Sequence, residues 1–237
     1  MLNISYMKIK TQLLPPPIYN EFLIRFVFGG NSSLISISNG TSGIGSEHWT
    51  LQESERFLFN DDGKLVELEL SIPNRNADIH LIESSSCWGE VLYPKPKPFS
   101  VSPTKFRNFR ALEKDLTCIN FTPKGSVNYI YIKEDFHLIF SDGRYCGYRL
   151  KNPIHYLCET VDENPRLAIE PDEAEYKLMG EYFSIMSDNK LDELNQNMTL
   201  LVLELDSKIT PRLGDIQCTR RREIIKRSLV DLLDFYL

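Results

Sequence analysis

The sequence predicts an α+β protein: an antiparallel β-rich body of hairpins and meanders over residues 1–160, and a helical C-terminal segment of two or three helices over 161–237, packed on it as one structural unit. Three observations carry this. In Val127–Asn152, VNYIYIKEDFHLIFSDGRYCGYRLKN, apolar side chains recur at every second residue, as one face of a strand requires. Asp-Gly, whose glycine supplies the positive φ of a tight hairpin, stands beside alternating stretches at Asp62-Gly63 and at Asp142-Gly143. Beyond Asn152-Pro153 the strand period fades and helix formers take over. Strands and helices are thus segregated along the chain, which argues against a parallel α/β sheet.

The 127–152 stretch reads as a three-stranded meander with corners at Lys133-Glu134-Asp135 and Ser141–Arg144. Strict alternation in its third strand places Tyr145, Gly147 and Arg149 on one face and Cys146, Tyr148 and Leu150 on the other. A meander alone buries too little, so a second layer is required. In chain order, residues 1–21 end in Pro15-Pro16-Pro17 and read as an extended entry. Phe22–Phe28 and Leu34–Ser38 form a first hairpin, and Phe57–Phe59 and Leu65–Leu70 a second, closed by Ile72-Pro73. Ile79–Ile82 and Trp88–Tyr93 read as two further strands, and Pro94–Pro98 as an exposed linker. Phe106, Phe109 and Leu112 fit one face of a short helix, and Leu116–Phe121 a strand.

Pro171-Asp172-Glu173 makes a good first helical turn, because proline is tolerated there and acids complement the helix dipole. This helix runs to Met186, with Tyr176, Met179, Tyr182 and Phe183 on one face. Asp188–Asp206 is expected as a second helix, in which Leu200–Leu203 could instead be a strand, and Thr210-Pro211 ends it. Thr219 caps a last helix with Ile225, Leu229, Leu232 and Leu233 at helical spacing.

Composition narrows the function. With 42% hydrophobic and 25% charged residues the chain is ordinary globular material, and its apolar runs fall far short of the ~20 residues that cross a bilayer, so no membrane contact is expected. MLNISYMKIK lacks the shape of a secretory signal. Cys87, Cys118, Cys146, Cys158 and Cys218 are widely spread with no C-x-x-C pair, which predicts free thiols and a cytoplasmic location. A net charge of −6 makes nucleic acid an unfavoured partner.

No residue pattern argues for a catalytic site, a metal or a cofactor. His155 and Cys158 form a lone pair where structural zinc needs four ligands. Cys146 faces His137 only loosely across a hairpin and reads as an inert buried thiol. The glycine-rich Asn39–Ser46 lacks the helix start that a phosphate loop requires. One cluster stands out: Arg220, Arg221, Arg222, Lys226 and Arg227 crowd the start of the last helix, where the positive dipole end disfavours them. They are candidate partner contacts, as are the acids Glu47, Glu53 and Glu55.

The general character of the chain, acidic, mixed α/β and free of catalytic motifs, is similar to that of the cytoplasmic immunity proteins that neutralise bacterial toxins. That likeness implies a protein-binding inhibitor or antidote, acting by occlusion of a protein partner such as a basic toxin domain. Two other classes compete: a small-molecule enzyme with a site on loops 39–48 and 141–144, using His48 or His137, and a nucleic-acid-associated protein using the 220–227 cluster.

Overall fold

The computed structural model describes residues 3–4, 7–29, 33–40, 44–45, 55–93, 101–165 and 169–237. It is an α+β fold. The larger sheet has eight strands in the order β1 (Asn3–Ile4), β2 (Met7–Gln12), β8 (Glu83–Leu92), β11 (Val127–Lys133), β12 (Phe136–Ser141), β13 (Arg144–Lys151), β10 (Asp115–Ile119) and β9 (Phe106–Arg110). The smaller has six, in the order β14 (Leu157–Cys158), β3 (Leu23–Val27), β4 (Leu34–Ser38), β7 (Leu65–Ser71), β6 (Arg56–Phe59) and β5 (Ile44–Gly45). Most neighbours are antiparallel, but β8 runs parallel to β11 and β14 parallel to β3, and β1 makes an additional parallel pairing with β13 at Asn3 and Arg144. Four α-helices follow among the described residues: α1 (Glu173–Ile185), α2 (Asp188–Glu193), α3 (Met198–Ile209) and α4 (Thr219–Tyr236). No helix among the described residues is long and apolar enough to cross a membrane.

Strands β11 to β13 are the expected meander. The corner between β12 and β13 has Asp142 at φ 50° and Gly143 at φ 74°, the pair of left-handed residues that matches the twist of a two-residue hairpin. Alternation then breaks. Phe140 pairs with Tyr145, but Ile139 pairs with Gly147, so Cys146 is an extra residue in a β-bulge. Gly147 has φ 150°, and a Cβ there would lie 2.0 Å from the Cys118 carbonyl oxygen on β10, which leaves room for glycine alone. The bulge corrects the expected faces. Tyr145, Tyr148 and Leu150 all join the main core, whereas Cys146 turns to the opposite side of the sheet with Ile139 and Tyr129.

Other expectations are corrected as well. Residues 7–12 are a strand of the larger sheet rather than an extended entry. Ile79–Ile82 is not a strand, and residues 83–92 form one strand of ten residues. Phe106–Arg110 is a strand rather than a helix, because antiparallel pairing with β10 satisfies its backbone groups. The helix expected over 188–206 is two, interrupted where Asn195 and Gln196 take φ of 55° and 63°, after which the Asn197 side chain caps α3 by accepting from Leu200 N at 3.1 Å. Leu200–Leu203 is helical. Cys218, not Thr219, occupies the cap position of α4. The Pro94–Pro98 linker lies outside the described residues.

Both sheets and the helices share one apolar core. Phe26 of β3 stacks on Phe183 of α1 with ring centroids 6.3 Å apart, and Phe28 meets Tyr182 at 4.8 Å. Each such fully buried side chain contributes roughly 1.5–3 kcal/mol, so the helices are bound to the β body by the same contacts that build the core. A small satellite cluster, Ile79, Ile119, Val127, Tyr129, Ile139 and Cys146, lies on the other face of the larger sheet. Residues 77–82 therefore cover part of that face, and the rest frames the candidate site.

Candidate functional site

The fold disperses the basic cluster of α4. Arg221 is wholly buried and donates from Nε and Nη2 to the Glu175 carboxylate on α1, at 2.5 and 2.9 Å, and from Nη1 to the Ile169 carbonyl at 2.8 Å. As a partner contact it is corrected. Its spacing from the buried Ile224, Ile225 and Ser228 puts it on the inward stripe of the helix. Arg220 donates to Glu163 at 2.6 Å, Arg227 to Glu159 at 2.7 and 2.9 Å, and Arg222 to the Ile216 carbonyl at 2.6 Å. Lys226 is exposed and has no side-chain partner among the described residues. Acids and a carbonyl thus offset the unfavourable dipole end.

The acids fare differently. Glu47 and Glu53 lie outside the described residues, as does His48. Glu55 is corrected: it shares the inward parity of Phe57 and Phe59, is buried, and accepts from Tyr145 Oη at 2.8 Å and Thr104 N at 3.1 Å. Burial, outweighing those two hydrogen bonds, pushes its carboxyl up to about 7.

The nucleophile and metal candidates do not assemble. All five thiols are free, and burial pushes Cys118, Cys146 and Cys158 up to about 12, away from the reactive thiolate. His137 is buried with its Nε2 3.0 Å from the Glu134 carbonyl, and burial lowers it to about 4, so it is a neutral imidazole near pH 7. His155 contacts Glu170 at 3.2 Å while Cys158 is sealed against β3. No group of three or more His, Cys, Asp or Glu is placed to hold a metal ion among the described residues.

What the fold does assemble lies on the outer face of the larger sheet. Cross-strand pairing sets Gln12 opposite Trp88, Trp88 opposite Tyr131, Tyr131 opposite His137, His137 opposite Arg149, Arg149 opposite Thr117 and Thr117 opposite Asn108. One ladder thus crosses seven strands. Trp88 and Tyr131 meet edge to face at 5.6 Å and stay half-buried, and Tyr131 packs on His137 at 4.3 Å. The bulge is what aligns this row: a register continued from Phe140 and Tyr145 would set His137 opposite Tyr148, a core residue.

At the ladder's far end Asp115 is fully buried beneath two arginines. Arg110 donates to it from Nε at 2.9 Å and Nη2 at 2.5 Å, and Arg149 from Nε at 2.8 Å and, more closely, from Nη2. The Arg149 guanidinium also lies over the Tyr129 ring, 5.8 Å from its centroid. Residues 79–83 wall a cavity of about 180 Å³ above this group, which Thr117 and Tyr129 also line. Sequence reading missed these residues because Arg110 lay in an expected helix and the register of Arg149 depends on the bulge. The parity of Tyr131, His137 and Arg149 was the available signal. Comparisons with family models, curated proteins and solved structures find no match to the chain.

Proposed function

We propose that this chain is a non-catalytic binding protein of the cytoplasm that occludes a protein partner with the outer face of its larger sheet. The observation that carries the reading is the ladder through Trp88, Tyr131 and Arg149, since tryptophan, tyrosine and arginine are the side chains that dominate binding energy at protein interfaces. Partial burial by neighbours holds these side chains in place, so little entropy is lost on binding. His137, a neutral imidazole, and the buried thiols are tuned away from acid–base and nucleophilic work, and Glu55, though raised to about 7, is sealed in the core away from any substrate.

Charge on this face revises the kind of partner. Lys8, Lys10, Lys151, Arg110 and Arg149 outnumber Glu83, Glu90 and Asp115 there, which suits an acidic patch rather than a basic toxin domain. Protein fits better than nucleic acid, because Trp88 and Tyr131 meet edge to face and offer no pair of parallel platforms for bases.

The test is co-purification from native cell extract followed by titration of the purified partner. Wild type should bind one partner with 1:1 stoichiometry and convert no substrate. A folded Trp88→Ala/Tyr131→Ala variant should bind at least tenfold more weakly, while Lys226→Glu binds as wild type. Loss of the partner on Lys226→Glu with retention in the aromatic variant places the interface on α4 instead and ends this reading.

A further inference from the structure

We propose that the cavity at the Arg110–Asp115–Arg149 group is a carboxylate-binding site that receives an acidic side chain of the partner. The inference rests on the protein-binding reading above and names the chemistry of its anchor. Two guanidiniums share a single buried carboxylate, so the group carries one positive charge in excess. Each arginine commits its Nε and Nη2 edge to Asp115, which leaves each Nη1 without a carboxylate among the described residues. Asp115 thereby fixes both side chains, and a fork held in place before binding loses little freedom when an anion arrives.

Charge and size select the ligand. Glu83 at the rim balances the excess of the group, so an incoming carboxylate with its single charge meets less repulsion at the fork than a phosphate dianion would. A cavity of about 180 Å³ is below the few hundred Å³ of drug-sized sites and suits one side chain. Thr117 lines the cavity and has a hydroxyl able to donate to a carboxylate oxygen, and Ile79 supplies an apolar wall that raises the strength of the ionic contact. Arg110 and Arg149 remain partly accessible, with 35% and 20% of their side-chain surface exposed, so the fork can be reached from solvent.

The experiment follows the arginine Nε–H signals of the full-length, ¹⁵N-labelled protein by NMR. The probe is a capped heptapeptide of alternating glycine and glutamate, and its glutamine counterpart is the comparison. The glutamate peptide should shift the Arg110 and Arg149 signals in a saturable way and bind at least tenfold more tightly than the glutamine peptide. Arg110→Gln should weaken it at least tenfold, and Arg110→Lys, which keeps the charge without the fork, should restore only part; Arg220→Gln should change nothing. Equal binding of the two peptides, or an unchanged affinity in Arg110→Gln, overturns the proposal. Tighter binding of inorganic phosphate or of a random-sequence oligonucleotide at the same signals also overturns it, by assigning the fork to a free anion or to nucleic acid. Should the glutamate peptide bind as described while the aromatic variant keeps its partner, the carboxylate site stands and the occlusion reading fails.

Discussion

The Arg221–Glu175 pair and the Arg110–Asp115–Arg149 group use the same two functional groups in different settings. Between α1 and α4 one guanidinium meets one carboxylate, and neither is accessible to water. On the sheet face two guanidiniums meet one carboxylate, and both cations keep an exposed edge. The contrast concerns charge: a sealed ion needs an opposite charge or, like Arg107 with the Phe183 and Met186 carbonyls, a full set of hydrogen bonds, because without them it has lost its hydration for nothing. An open site can carry an excess, which water screens until a ligand replaces it. The first arrangement fastens helices; the second leaves cation edges open to solvent, where the proposed carboxylate would bind.

The sharpest way to break this comparison is to unbalance the sealed pair. Arg221→Leu should destabilise the protein by about 3–5 kcal/mol, and adding Glu175→Leu should recover a large part, because the stranded carboxylate is then gone. Urea denaturation of the two variants measures it. A single-variant loss below ~1 kcal/mol means that Glu175 finds another partner.

Glu55 sharpens the comparison as a sealed carboxylate with no cation at all. Its folded value near 7 lies above the ordinary value of 4.5, so the protein is stabilised while this group is neutral. That contribution is fully present below about pH 4.5 and is lost as pH rises through 7, an effect of roughly 3 kcal/mol. Glu55→Gln should flatten this dependence, which the difference in thermal midpoint between pH 5 and pH 8 reports. Identical pH profiles would show that water reaches the carboxylate. The smallest effect belongs to an exposed pair: Arg220→Gln, which breaks contacts to Glu163 and Glu159, should cost less than ~1 kcal/mol and nothing measurable in 1 M salt.

Much of the β body was legible in the sequence, for identifiable reasons. The Asp142-Gly143 turn and the alternation of Phe136, Leu138 and Phe140 specify a hairpin whatever lies around it. The same holds for the hairpin at Gly63, whose φ is 73°. Failures cluster where a long-range contact decides. Phe106 and Phe109 fit a helical spacing, and only the partner strand at Leu116–Ile119 makes them extended. The candidate site was less legible still. Arg110, Asp115 and Arg149 come from three strands, and the Gly147 bulge that sets the register of Arg149 exists because of a backbone approach to Cys118 that no local pattern announces. For Arg221 the signal was present: its spacing from Ile224, Ile225 and Ser228 marks an inward residue, and a run of three arginines drew attention from it.

The pairing of β14 with β3 has a consequence for how the chain acquires its structure. Leu157 joins Phe26, and Cys158 joins Val27, so the edge of the smaller sheet is completed by residues from the far end of the β body. Hairpins such as β3–β4 can close within microseconds, but this contact must wait for an intervening loop of most of the body to be drawn in. Folding should therefore be slow for a domain of this size, in the millisecond-to-second range of topologies dominated by non-local pairs. On the ribosome the outer edge of β3 stays unpaired until residues 157–158 have emerged, an interval in which a nascent chain is open to mispairing.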